Sequence, residues 1–250
     1  KKNYLNMSHK ESLEKLKDDA LYYGKYGQQW LSNSDIYALL KDPKSFRKPK
    51  EQTKAMLEGR YFHTALLEPN KLDQYKVVDF TSRNTKAYKE LLEKEGSIML
   101  LQKEKENLDE MVDVINNNDF MSSQINDLSN AYEVPMIAEI MGVQWKGKAD
   151  IVCTHKLIDI KTSSSISDFK YSARKYNYDS QAYIYQELFQ KPLEFFVIDK
   201  NTYQLGVFKP SDEFIVRGKQ KVEEAIYIYQ TFYADNSTED INQYIHHEIL

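Results

Sequence analysis

The stretch from Ala131 to Ser163, AYEVPMIAEIMGVQWKGKADIVCTHKLIDIKTS, constrains the fold more than any other part of the chain. Apolar and polar residues alternate along it, and Met141-Gly142 and His155-Lys156 punctuate it as turns, so it reads as three consecutive β-strands. A strand sends successive side chains to opposite faces. Asp159 and Lys161 therefore project together, while Ile158 and Ile160 point the other way into a core. Asp150 closes the apolar strand KADIVC nine residues before Asp159, a separation that suits a short hairpin. Twenty residues beyond Lys161, Gln181 stands four residues before Tyr185 on a helical pattern, so the two share a face. Two carboxylates and a lysine converging at a sheet end suit a divalent cation beside a positioned ammonium. That arrangement points to phosphodiester hydrolysis.

The remaining sequence reads as helices with a few strands. Ser8-x-x-Glu11 has the spacing of a capping box ahead of Leu13, Leu16 and Leu21, which predicts an opening helix from Ser8. A short helix near Ser34–Leu40 must stop before Pro43, and another, about Thr53–Glu68, ends against Pro69. On the latter, Met56, Arg60, His63 and Leu67 share one face. YKVVDF reads as a strand, and residues 85–128 read as helix interrupted at Gly96. After the three strands come helices at about 166–175 and 178–190, the strands LEFFVID and YQLGVFK, and a long helix Ser211–Tyr233. The expected fold is α/β, a mixed central sheet flanked by helices. Its expected divisions are a helical N-terminal extension (1–30), a main domain (31–235) and a polar tail (236–250).

Composition narrows the function. The 250 residues carry 41% hydrophobic residues, with 19 Tyr and 11 Phe, ample for one large core. No apolar run approaches the roughly 18 residues of a membrane span, and KKNYLNMSHKE has no secretory hydrophobic region; a soluble, cytoplasmic protein is expected. The single cysteine, Cys153, excludes intramolecular disulfides, iron–sulfur clusters and thiolate zinc sites. A net charge of −4 argues against reliance on nonspecific nucleic-acid affinity, although local clusters and bound cations reshape the field a substrate meets. Two basic stretches, KDPKSFRKPKEQTK and KYSARK, each read as solvated surface when judged alone.

Taken together, Asp150, Asp159-Ile160-Lys161 and Gln181-x-x-x-Tyr185 resemble the PD-(D/E)XK nuclease superfamily, specifically its RecB-like branch and the RecE-type phage and prophage exonucleases. Upstream, GRYFHTALLEP is similar to the branch's helix with a metal-binding histidine, and LSNSDIYALLKDPKSF to the segment that opens RecE-type domains. The similarity spans roughly residues 31–235. Where the superfamily has Pro-Asp, this chain has Ala149-Asp150; proline only shapes the strand end, so the carboxylate's role survives.

The resemblance implies a restriction-endonuclease-like core in a metal-dependent exodeoxyribonuclease of bacterial, phage or prophage origin. His63, Asp150, Asp159 and the Ile160 backbone carbonyl would hold Mg²⁺, with Mn²⁺ a substitute favoured by the imidazole. Glu133 is as well read as an exposed strand acid as a further ligand. Lys161 would orient the attacking water and stabilise developing charge, with Gln181 and Tyr185 orienting the scissile strand and buttressing Lys161. Ser34, Arg47 and Arg60 are the candidates for phosphate. The implied partners are double-stranded DNA ends, copies of the chain in a trimeric or tetrameric ring, and a single-strand-annealing recombinase. A noncatalytic end-binding scaffold and an endonuclease of the same superfamily stay open.

Overall fold

A computed structural model describes residues 2–49 and 51–247. The first helix, α1 (Lys2–Lys15), passes straight through Ser8, so the expected start there is not found. It ends short of Asp18, whose side chain accepts the Ala20 and Leu21 N–H groups and starts a separate α2 (Asp19–Tyr23). Asp18 is thus the working N-cap in this region. Next come α3 (Asn33–Lys41), with the Asp35 carboxylate accepting the Ser32 N–H, and α4 (Lys54–Leu67), capped by Thr53. The expected strand YKVVDF shortens to β1 (Val77–Val78). After α5 (Lys86–Glu95), Gly96 takes φ 70°, a left-handed helix end that suits glycine. There β2 (Leu100–Leu101) pairs in parallel with β1 inside a stretch expected to be helical.

Two helices, α6 (Gln102–Asn116) and α7 (Asp119–Ile125), lead into the sheet strands β3 (Ala131–Ile140), β4 (Val143–Val152) and β5 (Leu157–Ser163). The chain continues through α8 (Phe169–Lys175), α9 (Tyr178–Phe189), β6 (Leu193–Asp199), β7 (Leu205–Phe208) and α10 (Asp212–Phe232). The five strands lie in sequence order, with β5 and β6 parallel and the other neighbours antiparallel. A parallel pair needs a long crossover, and α8 and α9 supply it.

Alternation in β6 shows the layering. Phe195 and Val197 pack on one face with Trp145, Leu39, Ala182 and Val222, from α3, β4, α9 and α10. Phe196 and Ile198 pack on the other with Phe62, Met111 and Ile125, from α4, α6 and α7. The α/β fold with helices on both faces of a mixed sheet is therefore as expected. Leu16 and Tyr22 pack with Trp30 and Ile137, which seats the first helices on β3. In the tail, Tyr244 packs edge-on against Phe232, and residues 248–250 lie outside the described residues.

Candidate active site

Three local departures from regular sheet build the site. The β3–β4 hairpin turns on Met141 (φ 51°) and Gly142 (φ 77°), the positive-φ pair a two-residue turn requires. Its register pairs Tyr132 with Ile151 and Val134 with Ala149, so Glu133 stands opposite Asp150. Like charges directly opposite one another destabilise a sheet. Glu133 also has φ 50°, a left-handed conformation costly for a residue with a side chain. On β4 the alternation shifts phase here: Trp145 and Ala149 face the α9–α10 core, whereas Ile151 faces the α4–α6 core.

The third departure lies between β4 and β5. Their pairing runs only through Ile151–Ile158 and Val152–Leu157, then the strands splay. Side chains take over the backbone groups that the gap exposes. Asp150 Oδ2 accepts the Ile160 N–H at 2.7 Å, and His63 Nε2 meets the Ile160 carbonyl at 2.8 Å. A carbonyl only accepts, so Nε2 carries the proton there. Nδ1 then faces Asp150 Oδ2 at 3.4 Å. α4 delivers His63 from 87 positions earlier in the chain. One ligand atom each from His63, Glu133 and Asp150 lies within 4.8 Å of the others.

Electrostatics agree with a cation-binding role for that trio. Burial and then the Asp150 charge push the Glu133 carboxyl up to about 8. Burial opposes the charged form of His63, but the charge and hydrogen bond of Asp150 prevail and raise it to about 9. Asp150 itself is drawn below its ordinary value: burial opposes this, and His63 outweighs it. Two carboxylates and an imidazole that disturb one another in this way form a donor set that a divalent cation would relieve.

Asp159 does not join the trio, against expectation. It is 2% exposed; its Oδ1 accepts from Gln181 Nε2 at 2.6 Å, and its Oδ2 lies 2.6 Å from the Lys161 ammonium. The Oδ2 contact has ion-pair distance without hydrogen-bond directionality. Burial, tempered by Lys161, leaves the Asp159 carboxyl raised to about 6. Burial works against the Lys161 ammonium, yet the Asp159 charge prevails and holds its pKa above the ordinary lysine value. The Lys161 Nζ also sits 4.7 Å from the centre of the Tyr178 ring.

Other placements need correcting. The Ile160 carbonyl, expected to be a ligand, is held by the His63 imidazole. Gln181 reaches Lys161 only through Asp159. The Tyr185 hydroxyl donates to the Lys148 carbonyl at 2.9 Å, while its ring lies over Gly147, where a Cβ would come within 2.9 Å. Tyr185 thus clamps β4 and does not buttress Lys161. Ser34 and Arg47 line one cavity of about 450 Å³ with Tyr22, Lys48 and Lys146, but Arg60 does not. Arg60 is exposed on α4, one turn before His63.

Sequence reasoning missed three contributors. Lys148, nearly buried, pairs with Asp19 of α2 at 2.6 Å and lies over the Tyr22 ring. The Lys146 ammonium donates to the Tyr22 carbonyl, and burial lowers its pKa to about 8. These contacts join segments more than 120 positions apart, and no local motif announces them. Tyr178, the aromatic wall beside Lys161, lay three residues before Gln181 in plain view. Its place beside Lys161 depends on how α9 seats against the sheet, which residue spacing does not encode.

Among solved structures, a crystal structure of a protein from Eubacterium rectale, described as a candidate exonuclease, shares this fold. It superposes with a TM-score of 0.62 at 19% identity, covering 84% of this chain and 85% of that one. A second solved chain aligns at a TM-score of 0.33 and 19% identity over 71% of this chain and 87% of that one. No curated protein matches the sequence. Residues 10–241 match the model of a family described as a PDDEXK-like domain of unknown function (DUF3799), and the chain belongs to that family.

Proposed function

We propose that this protein is a metal-dependent exodeoxyribonuclease that degrades one strand of linear duplex DNA from its end, 5′ to 3′, leaving 3′ single strands for recombination. The carrying observation is the His63–Glu133–Asp150 trio beside an ammonium pinned by a third carboxylate. The trio would hold Mg²⁺, or Mn²⁺ given the imidazole. Such a cation supplies Lewis acidity, lowering the pKa of a bound water and neutralising phosphate charge.

The chain's own residues do the rest. His63 is oriented by its hydrogen bond to the Ile160 carbonyl, which leaves Nδ1 turned toward Asp150. Asp159 fixes Lys161, and Gln181 fixes Asp159. Because Lys161 stays protonated, it acts as a preorganised positive charge toward the scissile phosphate and not as a general base. Ser34 and Arg47, sharing a cavity with Lys146, would receive a terminal 5′ phosphate, with the guanidinium suited to bidentate bonding. Arg60 would touch the strand nearer the trio.

The reading extends to assembly. A chain of net charge −4 gains processivity more readily by encircling DNA than through bulk charge, so a closed trimer or tetramer is the proposed active species. A single-strand-annealing recombinase would take the product, in a bacterial cytoplasm and from a phage or prophage gene.

The test is incubation of purified protein and Mg²⁺ with end-labelled linear duplex and with covalently closed circles. Digestion of the linear form alone is expected. Rapid nicking of circles would replace this reading with an endonuclease, and binding to ends without hydrolysis would replace it with a scaffold.

A further inference from the structure

Helix α8 carries three cations and no acid in seven residues, FKYSARK, within a chain of net charge −4. Phe169 and Ala173 turn inward to the core, which leaves Lys170, Tyr171, Arg174, Lys175 and the following Tyr176 exposed. Residues 170, 171, 174 and 175 fall on one face by helical spacing. Tyr171 is 60% exposed and Tyr176 57% exposed, so two flat rings stand in water among the charges. Lys170 Nζ lies 4.9 Å from the Tyr171 ring centre, and Lys175 Nζ lies 5.6 Å from that of Tyr176.

This surface is continuous with the site. The Tyr176 ring is 6.2 Å from the Tyr178 ring, whose centre is 4.7 Å from the Lys161 ammonium. The Asn177 backbone at φ 58° makes the corner between α8 and α9. That corner is held by Lys221, which donates to the Arg174 carbonyl and to Asn177 Oδ1. The rings are thus mounted on a fixed bend beside the reacting residues.

We propose that the exposed face of α8 with Tyr176 is a stacking platform for an unpaired DNA strand entering or leaving the Lys161 site. Every base has a π-face, so exposed tyrosines bind unpaired bases with little sequence preference, and neighbouring cations follow the phosphates. In a duplex the bases already stack on one another and their faces are unavailable to Tyr171 and Tyr176. The charge complements a polyanion, and the rings select its single-stranded form. The platform deepens the nuclease reading and rests on it only in naming which site the strand serves.

The test is fluorescence anisotropy in EDTA, where hydrolysis is off, with a labelled oligothymidylate and an abasic oligomer of equal length. Tyr171→Ala with Tyr176→Ala should weaken oligothymidylate binding about tenfold or more while leaving the abasic oligomer unaffected. Tyr171→Phe with Tyr176→Phe should restore binding, since stacking survives. Lys170→Gln with Arg174→Gln and Lys175→Gln should weaken both probes and reduce the salt slope by about 2. Unchanged oligothymidylate binding by the alanine pair, at an unchanged melting temperature, would overturn the platform. Digestion of linear duplex by wild type with Mg²⁺ reads the nuclease proposal separately. Failure there, with tyrosine-dependent binding intact, leaves the platform standing.

Discussion

Two acid sites in this molecule are built in opposite ways. At the head of α9, Asp179 is fully buried, yet Arg217 Nε meets it at 3.0 Å and Lys221 Nζ at 2.8 Å. Its oxygens also accept the Ser180 N–H. Two cations serve one carboxylate, and the helix seam closes around them. At the strand site, Glu133, Asp150 and Asp159 gather around one lysine and one imidazole. The seam commits its charge to cohesion, whereas the site gathers more carboxyl groups than cations to pair them. A buried acid is thus informative less by its burial than by the sign of what surrounds it.

The sharpest way to break this comparison is to remove the site's charged groups. Lys161→Ala and Asp150→Ala should each lower hydrolysis about 10³-fold or more, with circular dichroism unchanged. Full activity of either variant in Mg²⁺ would show that this cluster of charged groups has no catalytic use. The converse change, Asp179→Ala, leaves Arg217 and Lys221 without their partner. It should cost about 3 kcal/mol of stability, at the lower end for a broken buried pair because both cations are partly exposed. Activity per folded molecule should hold. A chemical denaturation curve superposing on wild type would make Asp179 as dispensable as a surface acid.

The pH profile is subtler. Glu133, raised to about 8, and Asp159, raised to about 6, favour the folded state while protonated. His63, raised to about 9, favours it while charged. For each, the folded pKa exceeds the unfolded one, so its contribution is whole below the unfolded value and lost as pH climbs through the folded value. Asp150, shifted downward, acts only at more acid pH. The melting temperature of metal-free protein should therefore fall between about pH 5 and 9, and Glu133→Gln should flatten the decline. Added Mn²⁺ should restore stability most at the alkaline end, where its ligands are unprotonated. A melting temperature that climbs across this window would contradict the assigned charge imbalance.

Much of this was readable from residues alone, for definite reasons. Asp159 and Lys161 on one side and Ile158 and Ile160 on the other follow from strand geometry. Glu133 was readable too: a two-residue turn at Met141-Gly142 fixes a register that places residue 133 opposite 150. That register favours the ligand alternative over the exposed strand acid, the two readings that residue type alone leaves open. By contrast, β2 is two residues long, too short to show a period, and hid in a helical stretch. The capping-box spacing at Ser8 and Glu11 falls inside a helix that has already begun, where Glu11 pairs with Lys15 instead, because the pattern marks a helix start only where the chain before it is not helical. The docking of Asp19 and Tyr22 on Lys148 depends on tertiary return of the N-terminal segment, which periodicity does not encode.

The parallel pairing of β5 with β6 also determines when the site can exist. During synthesis His63, Glu133, Asp150 and Lys161 all emerge before β6, the strand that pairs with β5 along its whole length. Gln181, which steadies Asp159, arrives on the crossover between them. Contacts this distant in sequence form late, after loop closure has been met. A nascent chain ending before Leu193 therefore carries every charged member of the site but lacks the neighbour strand that pairs with Asp159 and Lys161. The proposed site is therefore incomplete until synthesis has passed β6, an order written into the strand arrangement.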